Sequence, residues 1–175
     1  KPIFCEVNRS TWCIEESEIK KLITSKTKAI VVIHTYGNVC DMDPITELGL
    51  TFDIPIIEDA AEAFGSRYKG KMAGSLGTIG TYSFQVTKAI STGEGGIVVC
   101  NDERLVSEMT LYRSHGLARK TKHYWHEVPG HNFRLTNLQA ALGVAQLEHY
   151  SEILQARREI YNSYRREMID MPGIT

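Results

Sequence analysis

The sequence predicts an α/β domain built around a mainly parallel sheet. Short apolar runs of strand length alternate with segments of helical period, the pattern of strand–helix–strand units. Residues capable of chemistry stand at the carboxyl ends of those runs, where open sheets of this class bind ligands. Composition agrees, since 42% of the 175 residues are hydrophobic and 23% charged, a balance that allows a sizeable buried core.

Each element has its own signal. Residues 16–24 place Ile19, Leu22 and Ile23 on one helical face, and Ala29, Ile30, Val31, Val32 and Ile33 follow as a buried strand ending at His34. Pro44 marks a helix start, because its missing N–H costs nothing in a first turn. Ile56 and Ile57 form a short strand running out at Glu58 and Asp59. The Gly, Lys and Ser of residues 68–77 read as a surface turn or hairpin. A strand over residues 79–84 follows, and Gly93-Glu94-Gly95-Gly96 introduces another through Ile97, Val98, Val99 and Cys100, with Lys88 between the two. Asp102 caps a helix running to about Arg113, and residues 115–131 form a polar, aromatic loop without a clear period. Thr136 to Gln139 match a capping box, after which Leu138, Ala141, Leu142 and Ala145 recur at helical spacing; the helix continues, with a break, through residues 157–168 until Pro172-Gly173.

Charge narrows the classes of partner. Lys and Arg number 20 against 21 Asp and Glu, so a net charge of -1 gives no general attraction to nucleic acid or an anionic membrane. No apolar run is long enough to span a bilayer, and no basic segment with a long apolar run opens the chain, so a cytoplasmic location is expected. Cys5, Cys13, Cys40 and Cys100 lack metal-ligand spacing and read as reduced structural thiols, with no metal expected.

Asp59, Ser83 and Lys88 stand at or just beyond strand ends. Taken singly, Asp59 also suits a cap for the Ala60-Ala61 turn, Ser83 a small strand residue, and Lys88 a solvated lysine. The setting distinguishes Lys88: Thr87-Lys88-Ala89-Ile90 runs into a glycine-rich segment where backbone can approach a ligand closely.

Several motifs carry a resemblance spread over nearly the whole chain. They are Ile57-Glu58-Asp59-Ala60-Ala61-Glu62-Ala63, Tyr68-Lys69-Gly70-Lys71, Ser83-Phe84 with Lys88, and Thr92-Gly93-Glu94-Gly95-Gly96. Gly130-His131-Asn132-Phe133-Arg134 and Gln139-Ala140-Ala141-Leu142-Gly143 with Gln146-Leu147-Glu148 complete the set. Through them the sequence resembles the DegT/DnrJ/EryC1/StrS sugar aminotransferases, pyridoxal-phosphate enzymes of fold type I in the aspartate-aminotransferase superfamily.

The resemblance implies a three-layer αβα large domain, with residues 1–150 forming part of the cofactor-binding domain and 151–175 a helix leading toward a small C-terminal domain. Family members are considerably longer, so a central piece of such an enzyme is expected, incomplete at both ends and inactive by itself. It implies pyridoxal 5'-phosphate as cofactor, held covalently by Lys88, the catalytic residue, which also carries the proton during transfer. Asp59 matches the carboxylate that pairs with the pyridine nitrogen, Glu62 the residue beside the ring hydroxyl, and Ser83 a hydroxyl on the cofactor phosphate. Asn132 matches a residue reaching the phosphate of a neighbouring subunit, which implies a homodimer with shared active sites; alone it reads as a turn residue.

His34 matches a histidine expected near substrate and reads equally as a satisfied structural histidine. Some members carry His in place of the lysine and work as dehydratases, a branch that Lys88 argues against. His123-Tyr124-Trp125-His126 looks like the loop of members that make perosamine from GDP-linked 4-keto-6-deoxymannose, which makes Trp125 and His126 candidate substrate contacts. Glutamate is the expected amino donor, a nucleotide-linked keto-deoxy sugar the acceptor, and cell-surface polysaccharide such as lipopolysaccharide O-antigen the destination. The competing readings are another fold-type-I enzyme acting on an amino acid and a non-catalytic regulator that keeps the fold.

Overall fold

The computed structural model describes residues 1–117 and 124–173. In chain order its elements are α1 (Glu16–Leu22), β1 (Ile30–Ile33), α2 (Met42–Phe52), β2 (Ile56–Asp59), a hairpin of β3 (Arg67–Tyr68) and β4 (Lys71–Met72), β5 (Ile79–Ser83), β6 (Gly96–Cys100), α3 (Glu103–Arg113), α4 (Asn137–Glu148) and α5 (Tyr150–Met168). A 3-10 turn, Thr35–Gly37, follows β1 and had no signal in the sequence pattern. α2 begins ahead of Pro44, which still lies in the first turn, where a missing N–H breaks no helical hydrogen bond. The Asp102 side chain accepts from Arg104 and Leu105 N–H at 2.8 and 3.2 Å, and Thr136 forms the expected capping box with Gln139. Among the described residues no helix is long and apolar enough to cross a membrane.

The main sheet runs β1-β2-β5-β6. β1, β2 and β5 are mutually parallel, as expected; β6 pairs antiparallel with β5. The link between β5 and β6 contains turns but no crossover helix, so the chain comes straight back alongside β5.

Strand alternation decides the two faces. Ile30, Val32 and Ile56 point to the face that α1 and α2 cover, where they join Ile19, Met42, Ile45 and Leu48 in the core. Their neighbours Val31 and Ile33 point the other way and are 54% and 52% exposed. Register carries this alternation across the sheet: Val32 pairs with Glu58 and Glu58 with Gly80, whereas Ile33 pairs with Asp59 and Asp59 with Thr81. Glu58 therefore belongs to the covered face, and Asp59 to the open one with Ser83.

Two glycines let a loop press against the covered face. A Cβ on Gly80 would lie 1.8 Å from the carbonyl oxygen of Gly74, and Gly74 itself has φ +87° and sits against the Tyr82 ring. Residues 73–77 can thus pack directly on β2 and β5. The four cysteines are free thiols; burial, with Cys13 alongside, pushes Cys40 up to about 12, which makes it inert as a nucleophile.

Candidate functional site

β2 and β5 run parallel and end side by side, which delivers Asp59 and Ser83 to one edge of one face. The Asp59 Oδ1 accepts from the Ala61 N–H at 3.0 Å, so the carboxylate caps the turn after β2, while its second oxygen accepts no hydrogen bond from the described residues. Ser83 Oγ accepts from the Gln85 N–H at 3.3 Å. Beyond it the chain turns: Lys88 N–H donates to Gln85 O at 2.9 Å, and Thr92 N–H returns to Phe84 O at 2.9 Å. This turn aims Lys88 back toward the segment after β2.

There Lys88 Nζ meets Glu62 Oε1 at 3.5 Å, with side-chain exposures of 21% and 38%. The other Glu62 oxygen accepts from the Tyr36 N–H at 2.9 Å, in the 3-10 turn after β1. The carboxyl ends of three adjacent parallel strands thus supply one cluster: Tyr36 backbone from the first, Asp59 and Glu62 from the second, and Ser83 and Lys88 from the third.

The donor set suits pyridoxal phosphate: an amine for its carbonyl, a carboxylate for its ring nitrogen, a second carboxylate for its hydroxyl and an alcohol for its phosphate. Lys88 is the one amine of the set and is partly shielded from water, 21% exposed at its side chain.

His34 is not part of this cluster, which corrects the expectation that it reaches substrate. It is wholly buried, with Nε2 2.9 Å from Glu58 Oε2 and Nδ1 accepting from the Cys40 N–H at 3.3 Å. Neither ring nitrogen is open to a ligand, because β1 alternation carries the strand's end into the covered face.

Glu58 is the residue the sequence reading passed over. Its side chain is wholly buried and accepts from the backbone N–H groups of Gly74, Leu76 and Gly77 at 2.7, 2.6 and 2.5 Å as well as from His34. Burial pushes its carboxyl up, but the His34 ring and the three N–H groups together hold it below its ordinary value. The signal was present in the sequence, since a Glu in phase with Ile56 on a buried strand face requires partners.

Asn132 lies elsewhere on the surface, bridged to Ser114, with its Oδ1 accepting from Arg134 Nε at 3.3 Å. Trp125 is 55% exposed, His126 Nδ1 lies 2.7 Å from His115 O, and Leu117 and His126 form an antiparallel bridge. His115, His126 and residues 127–130 line an open depression. His123 lies outside the described residues.

Comparison with known proteins places the chain among relatives. The sequence profile of the DegT/DnrJ/EryC1/StrS aminotransferase family matches residues 1–175. The GDP-perosamine synthase of Escherichia coli O157:H7 is 46% identical over 167 residues, which cover 95% of this chain and 46% of that protein. The Helicobacter pylori aminotransferase PseC, involved in the biosynthesis of pseudoaminic acid, superposes with a TM-score of 0.91 at 35% identity, over 98% of this chain and 46% of that one. An E. coli GDP-4-keto-6-deoxy-D-mannose-3-dehydratase with bound hydrated PLP superposes with a TM-score of 0.87 at 27% identity, over 97% of this chain and 48% of its own. The chain spans a little under half the length of these relatives.

Proposed function

Because this chain belongs to the DegT/DnrJ/EryC1/StrS aminotransferase family, we propose that it forms part of a pyridoxal-phosphate enzyme that transfers an amino group from glutamate to a nucleotide-linked keto-deoxy sugar. The observation that carries this reading is the convergence of Lys88, Glu62, Asp59 and Ser83 at the carboxyl ends of adjacent strands. When bound, the cofactor would supply a carbonyl carbon that takes the amino group from the donor and gives it to the acceptor, and a ring that draws electrons from the carbon losing its proton.

The chain's own groups do the rest. Lys88 Nζ would hold the cofactor at its carbonyl carbon, and the same amine is placed to carry a proton to and from the substrate carbon. Asp59, through its uncommitted oxygen, accepts a hydrogen bond from the protonated ring nitrogen and keeps that charge in place. Glu62, oriented by the Tyr36 N–H, faces the ring hydroxyl, and the Ser83 hydroxyl binds phosphate.

GDP-4-keto-6-deoxymannose is the acceptor we favour, with perosamine as product, on the identity to GDP-perosamine synthase and on Trp125 and His126 as sugar or base contacts. Asn132 reaches the phosphate of a second subunit, so the working unit is a cytoplasmic homodimer that serves cell-surface polysaccharide, including lipopolysaccharide O-antigen. Residues 1–150 belong to its large domain and 151–175 lead toward the small one.

The test is a half-reaction. Glutamate added to the cofactor-loaded full-length protein is expected to yield 2-oxoglutarate in an amount equal to the enzyme, and then amination of the GDP-linked keto sugar. Irreversible consumption of an amino acid without 2-oxoglutarate would contradict it.

A further inference from the structure

The glutamines of the Gln139 to Glu148 motif have no part in the cluster around Lys88, yet they touch the turn that carries it. Gln139 and Gln146 are two helical turns apart in α4 and so share one face, with Gly143 between them. Gln139 Nε2 donates to Glu94 O at 3.0 Å, and Gln146 Oε1 accepts from the Ser91 N–H at 3.4 Å. A Cβ on Gly143 would lie only 3.1 Å from Thr92 Cγ2, so the helix backbone approaches the turn closely. From α5, Arg157 Nη2 donates to the carbonyl of Lys88 itself at 3.3 Å.

We propose that Gln139, Gln146 and Arg157 are positioning residues for Lys88, a clamp from α4 and α5 that fixes the turn over residues 85–95 so that the Lys88 amine stays beside Glu62. The clamp holds the turn at its start, middle and end, and each contact is to backbone, so it fixes where the turn lies whatever side chains the turn carries. A turn held this way loses little backbone freedom when Lys88 binds the cofactor. The role assigned to Lys88 rests on the proposed function; the clamp on the turn does not.

The experiment uses the full-length protein with three substitutions. Gln139→Glu keeps a capping-box acceptor for Thr136 while removing the donor to Glu94 O. Arg157→Ala removes the contact to Lys88 O, and Arg157→Lys retains a cationic donor. Amide hydrogen exchange over residues 85–95 without cofactor is expected to quicken roughly fivefold in the first two, the scale of one lost net hydrogen bond, with α2 and β2 unchanged and Arg157→Lys close to the parent. With pyridoxal phosphate, borohydride should fix cofactor to Lys88 more slowly by a similar factor. Unchanged exchange over 85–95, or an equal rise throughout the fold, overturns the clamp. Exchange that rises there while fixation at Lys88 keeps the parent's rate overturns its positioning role. Failure of the parent to take cofactor at Lys88 sinks the proposed function instead, leaving the exchange result to decide the clamp.

Discussion

Glu58 and Asp59 are adjacent carboxylates on one strand, and alternation gives them opposite work. Glu58 faces the core with four hydrogen-bond donors around it, and Asp59 faces the open side at the edge of the cluster. Replacing Glu58 by Ala leaves His34 and three N–H groups buried without their acceptor, so a loss of about 3–5 kcal/mol in denaturant unfolding is expected. The pH dependence follows from the lowered folded-state pKa. The stabilisation is fully present above the ordinary value of about 4.5 and disappears as pH falls below it through the folded value. Melting temperature should therefore hold from neutrality to about pH 5 and decline on further acidification, and Glu58→Gln should flatten that decline. On the open side, Asp59→Asn in the full-length protein is expected to lower kcat/KM for amination by roughly 10²–10⁴-fold while pyridoxal phosphate still binds, read by steady-state kinetics and absorbance. At this scale the sequence disclosed Asp59, Ser83 and Lys88, because glycines and strand ends surround them. It left His34 between a substrate contact and a satisfied structural histidine, and did not pair it with Glu58, because a buried polar pair depends on which face each strand turns inward.

Periodicity disclosed almost every strand and helix, since short strands and capped helices leave local marks. What it could not supply was the direction of β6, which depends on whether the 84–95 link crosses the sheet or turns back, and on the close contact that makes Gly80 obligatory. Gly80→Ala would drive a methyl group into the Gly74 carbonyl and dislodge the 73–77 loop from Glu58. The expected cost is about 1–3 kcal/mol from overpacking alone, measurable by thermal unfolding. α4 shows the opposite limit. Its periodic Leu138 and Leu142 marked a helix correctly yet are 84% and 47% exposed, because spacing identifies an apolar face without saying what meets it.

The molecule as a whole exposes 12953 Å². A compact monomer of its mass exposes about 8,600 Å². The excess includes apolar residues on the sheet, α4 and α5, among them Val31, Val98, Leu138 and Ile160. Surface of this kind is made to be covered by further protein. The isolated chain is expected to bind a hydrophobic dye strongly and to self-associate, as gel filtration and dye fluorescence would show. The proposed sharing of active sites has its own signature in the full-length protein: Lys88→Ala and Asn132→Ala variants, each expected to be inactive alone, should recover about a quarter of the activity when mixed and reassorted, since half the dimers would be mixed and each would hold one complete site. No recovery would place Asn132 outside a shared site.

In the proposed function Lys88 is the residue that takes the cofactor. The direct measurement is borohydride reduction of the protein with pyridoxal phosphate, followed by peptide mass spectrometry. A pyridoxyl-phosphate mass is expected on the peptide containing Lys88, abolished in Lys88→Ala. An adduct spread over exposed lysines such as Lys69 and Lys71, or none at all, would contradict it.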